Sequence, residues 1–191
     1  MNNRFVSAVL ALSIAASFTG CGNTQNSSDT ASSSVSSSQN EQSNAEMTVD
    51  ELLGMITFCG KPLKYPLTVS SLGEGFSLDT LIEESQDGAM VHLCYNNSPV
   101  CILSYDCAPG EVSNDTPISM LNFVPDDPQR SLLSVNGFTA EDKLSDAETK
   151  IGKGEMPNDN TIIYNTKEGC YLEILEIAGD IYSISLVMKK S

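Results

Sequence analysis

An α+β fold is predicted by three features of the chain. Residues Met90–Tyr105 carry two apolar runs around Asn96-Asn97-Ser98-Pro99, residue types that favour turns and so mark a β-hairpin. The last thirty residues alternate apolar and polar positions between short Gly-containing turns, the mark of an antiparallel meander with one covered face. Two Thr/Ser-x-x-Glu spacings, Thr48–Glu51 and Ser145–Glu148, fit helix capping boxes. Short helices grouped between runs of strands, rather than alternating with them, point to α+β.

In chain order, the Thr48 box precedes Leu52, Leu53, Met55 and Ile56 and predicts a short opening helix, weakened by Gly54. Residues 56–66 alternate around Gly60-Lys61-Pro62 and predict a small hairpin or an extended arm that Pro66 ends. Thr68–Leu72 predicts one helical turn stopped by Gly73 or Gly75. In the central hairpin, a four-residue turn sets Tyr95 opposite Val100, Cys94 opposite Cys101 and His92 opposite Leu103. Ile118–Phe123 predicts a strand broken by Pro125–Pro128. Ser145 opens a helix closing at Gly152 or Gly154. The meander then runs Thr161–Asn165, Cys170–Ile177 and Ile181–Met188, with Tyr182, Ile184, Leu186 and Met188 on its apolar face.

The 191 residues hold 10 Lys+Arg against 25 Asp+Glu, a net charge of −15, and a pI near 4.2. So few basic groups cannot neutralise a row of phosphates, which excludes general nucleic-acid binding. At 40% hydrophobic and 18% charged, the chain carries enough apolar surface for a packed core.

The N-terminus departs from this pattern. Arg4 precedes an apolar run, Phe5–Phe18, in the order of a secretory signal, and the run is too short to cross a bilayer, which takes about 20 residues. Its end, Phe18-Thr19-Gly20-Cys21, resembles the lipobox of bacterial prolipoproteins, with Phe18 where Leu is usual. That resemblance implies a diacylglyceryl group on Cys21, cleavage between Gly20 and Cys21, and a mature chain held on the outer face of the cell membrane. Two or more acyl chains suffice for stable anchoring. Residues 22–47 hold no Lys, Arg or aromatic side chain and read as a Ser/Asn/Gln tether spanning about 28 Å as a random coil. Thr48–Ser191 then forms a single domain. Loss of Arg4 with the leader raises the net charge to −16, so the acyl chains alone hold the protein on an anionic bilayer.

Two looser likenesses concern the domain. Ile56-Thr57-Phe58-Cys59-Gly60-Lys61, Pro66 and Leu72-Gly73-Glu74-Gly75-Phe76-Ser77-Leu78 resemble a recurring pattern of uncharacterised surface lipoproteins from Gram-positive gut bacteria. The Ser145–Gly152 helix followed by a meander is similar to β-lactamase-inhibitor-like folds. Neither family supplies catalytic residues.

Chemistry-bearing residues are sparse. His92 is the sole histidine and sits in an apolar strand. Cys94 shares its face, yet a nucleophile and base need a third, orienting group. No Gly-x-Ser-x-Gly, His-Glu-x-x-His or phosphate-loop motif occurs. Cys94, Cys101 and Cys107 lack a close Cys-x-x-Cys pair for zinc. Asp126-Asp127 and Asn158-Asp159-Asn160 lack the spacing of a calcium loop. No cofactor or metal is expected. Beyond Cys21 the thiols are Cys59, Cys94, Cys101, Cys107 and Cys170, an odd number; the facing of Cys94 and Cys101 leaves both a cross-strand disulfide and buried free thiols open. The expectation is a lipid-anchored extracytoplasmic protein with a non-enzymatic binding domain for an envelope component, peptide or protein. The alternative is a proteinaceous inhibitor of an extracellular hydrolase.

Overall fold

The computed structural model describes residues 47–85 and 88–188, within one compact unit that spans Ser43–Ser191. The fold class is α+β. The first helix, α1 (Val49–Gly54), starts at the expected box: Thr48 Oγ1 accepts from Glu51 N at 3.1 Å, and Glu51 Oε2 accepts from Thr48 N at 2.7 Å. Leu52 and Leu53 bury its inner side. A hairpin follows as β1 (Ile56–Phe58) and β2 (Lys61–Pro62), but its turn is left-handed Cys59 (φ 50°) and Gly60 (φ 76°), so Lys61 and Pro62, expected in the turn, pair in the second strand instead. Then α2 (Val69–Leu72) is capped reciprocally by Thr68 and Ser71 and ended by Gly73.

Next come β3 (Phe76–Ser85), β4 (Gly88–Tyr95), β5 (Ser98–Tyr105), β6 (Met120–Phe123) and β7 (Leu133–Val135). After a 3-10 turn at Leu144–Asp146 and α3 (Ala147–Lys150), the chain closes with β8 (Glu155–Asn158), β9 (Thr161–Asn165), β10 (Tyr171–Ile177) and β11 (Asp180–Val187). Eight of these strands pair in the order β3-β4-β5-β6-β11-β10-β9-β8, antiparallel throughout. A smaller sheet, β2-β1-β7, packs on it. Phe58 of β1 meets the rings of Phe123 at 5.9 Å and Phe76 at 5.6 Å.

Alternation decides which face is buried. The register aligns Val91, Leu103, Leu121, Leu186, Leu172 and Tyr164 in one row across six strands, every member buried. One residue along each strand, the row Met90, Ser104, Met120, Val187 and Tyr171 points the other way and is half-exposed. The small sheet and the helices therefore join a one-sided core, in which each fully buried aliphatic or Phe side chain contributes about 1.5–3 kcal/mol.

Four expectations are corrected. Asn96 (φ 51°) and Asn97 (φ 65°) form a two-residue turn in which both residues are left-handed, so Tyr95 pairs with Ser98 and Cys94 with Pro99. Val100 is taken up as an extra residue in a bulge, which slides Cys101 opposite Leu93 and Ile102 opposite His92. Similarly, Leu175 pairs with Ser183 and Glu176 with Ile181, leaving Tyr182 as the extra residue; it is 51% exposed and does not join Ile184, Leu186 and Met188 on the apolar face. At the third helix, Asp146 Oδ2 accepts from Lys143 N at 3.2 Å, so Ser145 is not the cap. The 3-10 start sets Leu144 and Ala147, both buried, on one side. Finally, most of β3, with β7 and β8, forms where no strand was expected. For β7 the signal was present: Asn136 (φ 49°) and Gly137 (φ 83°) close a tight turn between Val135 and Phe138.

Two groups allow stability to be predicted. Lys150 Nζ lies 2.7 Å from Asp142 Oδ1, and Thr139 N donates to Asp142 Oδ2 at 2.8 Å. Burial acts to raise the Asp142 carboxyl, but the bonds from Lys150 and Thr139 outweigh it and hold it below its ordinary 3.8. A depressed folded-state value stabilises above the unfolded value and is lost as pH falls through the folded one. Asp142→Asn is expected to cost about 1–2 kcal/mol at pH 7. In urea titrations the gap should close in acid, below the folded-state value. By contrast, the buried Tyr105 hydroxyl has no hydrogen-bond partner among the described residues, a burden of about 1–3 kcal/mol. Tyr105→Phe should therefore raise the melting temperature, equivalent to about 1 kcal/mol.

Candidate ligand cleft

A cleft of about 310 Å³ opens at the end of the sheet where β5 and β11 finish and β6 begins. Its walls come from four segments: residues 65–67, residues 106–107, residues 116–119 and Met188. Hydrogen bonds tie these together. Ile118 N donates to Leu67 O at 2.9 Å, Ser119 N to Ser104 O at 2.9 Å, and Met188 N to Ser119 O at 2.8 Å. The long connection before β6 knits itself through Thr116, whose Oγ1 accepts from Ser113 N at 2.9 Å and donates to Glu111 O at 3.1 Å. Ser70 N donates to Asn114 O at 2.9 Å and fastens the same connection to α2. The walls are therefore set before any ligand arrives.

The surface so formed is mainly apolar. Leu67, Ile118 and Met188 form a buried floor, while Tyr65, 51% exposed, and the exposed Pro66 and Pro117 stand at the sides. Asp106 is the one charged side chain among the described lining residues. The connection from Asp106 to Ser119 also carries Glu111 and Asp115 and no Lys, Arg or His. An apolar floor with one carboxylate at the rim suits an apolar group that bears a positive charge.

A wider cleft of about 730 Å³ lies by β8 and β9. Lys143, Glu148, Lys153, Asp159 and Glu176 give it charges of both signs, and several are already engaged. Lys143 stands 3.8 Å from Asp180, and Glu176 Oε2 accepts from Leu144 N at 3.1 Å. Well-solvated charges of both signs offer little differential binding, so the apolar cleft is the better candidate.

The residues singled out in the sequence lie elsewhere. Gly20, Cys21 and the tether fall outside the described residues. His92 is half-buried on the face of β4 that points away from the core, opposite Ile102. Cys94 shares that face, but burial and the neighbouring Asp79 carboxylate both raise its thiol. A nucleophilic thiol needs the opposite shift. Cys101 is buried and its thiol pushed well up, and burial holds Cys59 at about 11 despite nearby Lys61. Among the described residues no disulfide is formed; Cys94 and Cys101 are thiols that the bulge at Val100 sets out of register. Cys107 alone of the five lines the cleft. Among the described residues no group of three His, Cys, Asp or Glu side chains could hold a metal ion, and no helix is long and apolar enough to cross a membrane.

No signal in the sequence named the cleft. Tyr65, Asp106, Pro117 and Met188 are far apart in the chain; the strand pairing β5-β6-β11 gathers the last three, and the bond from Ile118 N to Leu67 O brings the segment of Tyr65 beside them. No protein-family model, curated protein or solved structure matches the chain.

Proposed function

We propose that this protein is a lipid-anchored extracytoplasmic binding protein, held to the membrane by acyl chains on Cys21, with a non-enzymatic domain that receives an apolar cationic ligand in the cleft at the end of the sheet. The anchoring half rests on the signal-like leader ending in Phe18-Thr19-Gly20-Cys21 and the polar tether behind it. The binding half rests on one observation: a preformed apolar cleft whose described lining carries a single charge, Asp106. The raised thiol of Cys94 beside Asp79 favours binding over covalent catalysis. An amine-bearing peptide or small molecule would place its apolar part over Leu67, Ile118 and Met188 and its charge at Asp106.

Two experiments test the halves separately. Cys21→Ala, expressed in a host that processes prolipoproteins, should move the protein from the membrane fraction to the soluble or secreted fraction, whereas an unchanged distribution overturns anchoring. For the cleft, methionine-methyl NMR of the full chain should show the Met188 resonance shifting with leucyl-leucine amide and more weakly with its N-acetylated form. Asp106→Asn should remove that preference, a change of about threefold in affinity as befits a solvent-accessible ion pair. Equal response to both ligands in the parent protein overturns the assignment of Asp106, and no Met188 response to either overturns the cleft.

A further inference from the structure

The last strand delivers a basic segment to the apolar cleft. β11 ends at Val187, Met188 forms part of the cleft floor, and the next two residues, outside the described ones, are Lys189 and Lys190. They hold two of the ten basic side chains in a chain whose net charge is −15. The cleft beside them offers the opposite sign. Asp106 is exposed at its rim, Glu111 and Asp115 are exposed in the connection that forms its wall, and no Lys, Arg or His stands between Asp106 and Ser119.

The register puts these charges within reach of one another. β5 and β11 each pair antiparallel with β6, so both run the same way and leave the sheet at the same end. Ser104 lies opposite Met120, and Met120 opposite Val187. Ser104 and Val187 are therefore level, two strand spacings or about 10 Å apart. Asp106 is two residues beyond Ser104 and Lys189 two beyond Val187, so a chain that continues extended brings Lys189 level with Asp106. A lysine ammonium extends about 6 Å from its Cα, an aspartate oxygen about 3 Å, and a hydrogen bond adds about 3 Å, so the gap can be bridged. The bond from Met188 N to Ser119 O, at 2.8 Å, fixes the point of departure at the cleft.

We infer that the Lys189-Lys190 segment lies across this cleft and sets a lysine ammonium against Asp106, so that a ligand must compete with it for the site. The inference rests on the reading of the cleft as a site for an apolar cation, and adds its regulation. Other occupants fit less well. Residues 22–46 contain no Lys or Arg to offer Asp106, and a second copy of so acidic a chain brings the wrong net charge. Lys189 and Lys190 need no encounter, because their attachment to Met188 gives them an effective concentration on the order of millimolar. Even a weak, solvent-exposed ion pair then holds the cleft against a dilute ligand and yields it to a concentrated one.

Two measurements on the full-length protein test it. In the first, without ligand, the protein is treated with a zero-length carbodiimide and digested for mass spectrometry. An amide joining Asp106 to Lys189 or Lys190 is expected, alongside one joining Asp142 to Lys150, whose 2.7 Å ion pair is the internal standard. Formation of the Asp142–Lys150 link without a link to Asp106 overturns the inference, whatever the cleft binds. In the second, the Met188 methyl titration is repeated on Lys189→Gln/Lys190→Gln. Loss of the ion pair should tighten leucyl-leucine amide and its N-acetylated form alike, by about threefold, because lifting the segment uncovers the apolar floor for both. Tightening of the cationic form alone is charge repulsion without contact and overturns the inference, as does no change in either. If Met188 of the parent protein responds to neither peptide, the reading of the cleft fails, and the cross-link still decides where the segment lies.

Discussion

The architecture hangs on the pairing of β6 with β11, where Leu121 meets Leu186 and Phe123 meets Ile184. The strands on one side, β3 to β5, come from the first half of the domain, and those on the other, β8 to β10, from the last. Only this seam makes one sheet of them. It is short, four residue pairs, so its strength comes less from backbone bonds than from what the four residues bury. Leu121, Phe123, Ile184 and Leu186 are all at most 1% exposed, and Phe123 also carries the small sheet through Phe58. Removing apolar surface from water at the seam thus fixes both the order of the strands and the seat of the second layer.

That seam also sets where function can reside. Because β11 lies beside β6, Met188 arrives next to Ser119, and the cleft takes its floor from the ends of strands that are distant in sequence. The same pairing brings Asn122 to Ser185 and Met120 to Val187 on the opposite face, creating an uncharged centre in a strongly acidic chain. One register thereby yields a closed apolar core, an apolar cleft at the edge of that core, and an outer face whose centre on β5, β6 and β11 carries no charge. Bulges at Val100 and Tyr182 adjust the picture locally: each adds a residue, and each turns a side chain away from where simple alternation would put it.

Much of the fold was legible because its cues are local. The Thr48 cap, the helical turn after Thr68, the central hairpin and the three meander strands all rest on residues within a few positions of one another, and all form. The misplacements share one cause. Pro99 reads as a turn residue, but two left-handed asparagines close the turn before it and draw it into the strand. Tyr182 reads as core by alternation, but a bulge whose position depends on the partner strand exposes it. β8 is exposed along its length and carries no apolar alternation to read; its place comes from pairing with β9.

From sequence alone come the acidic balance, the lipobox-like end of the apolar N-terminal run with the polar stretch behind it, and the α+β class with most of its elements, since composition and short-range periodicity are properties of neighbouring residues. The strand order, the face on which the core lies, the register that separates Cys94 from Cys101 and the cleft around Asp106 and Met188 belong to the tertiary structure. Each depends on which distant strands become neighbours, and that choice is made by the collective burial of side chains, which no local pattern contains.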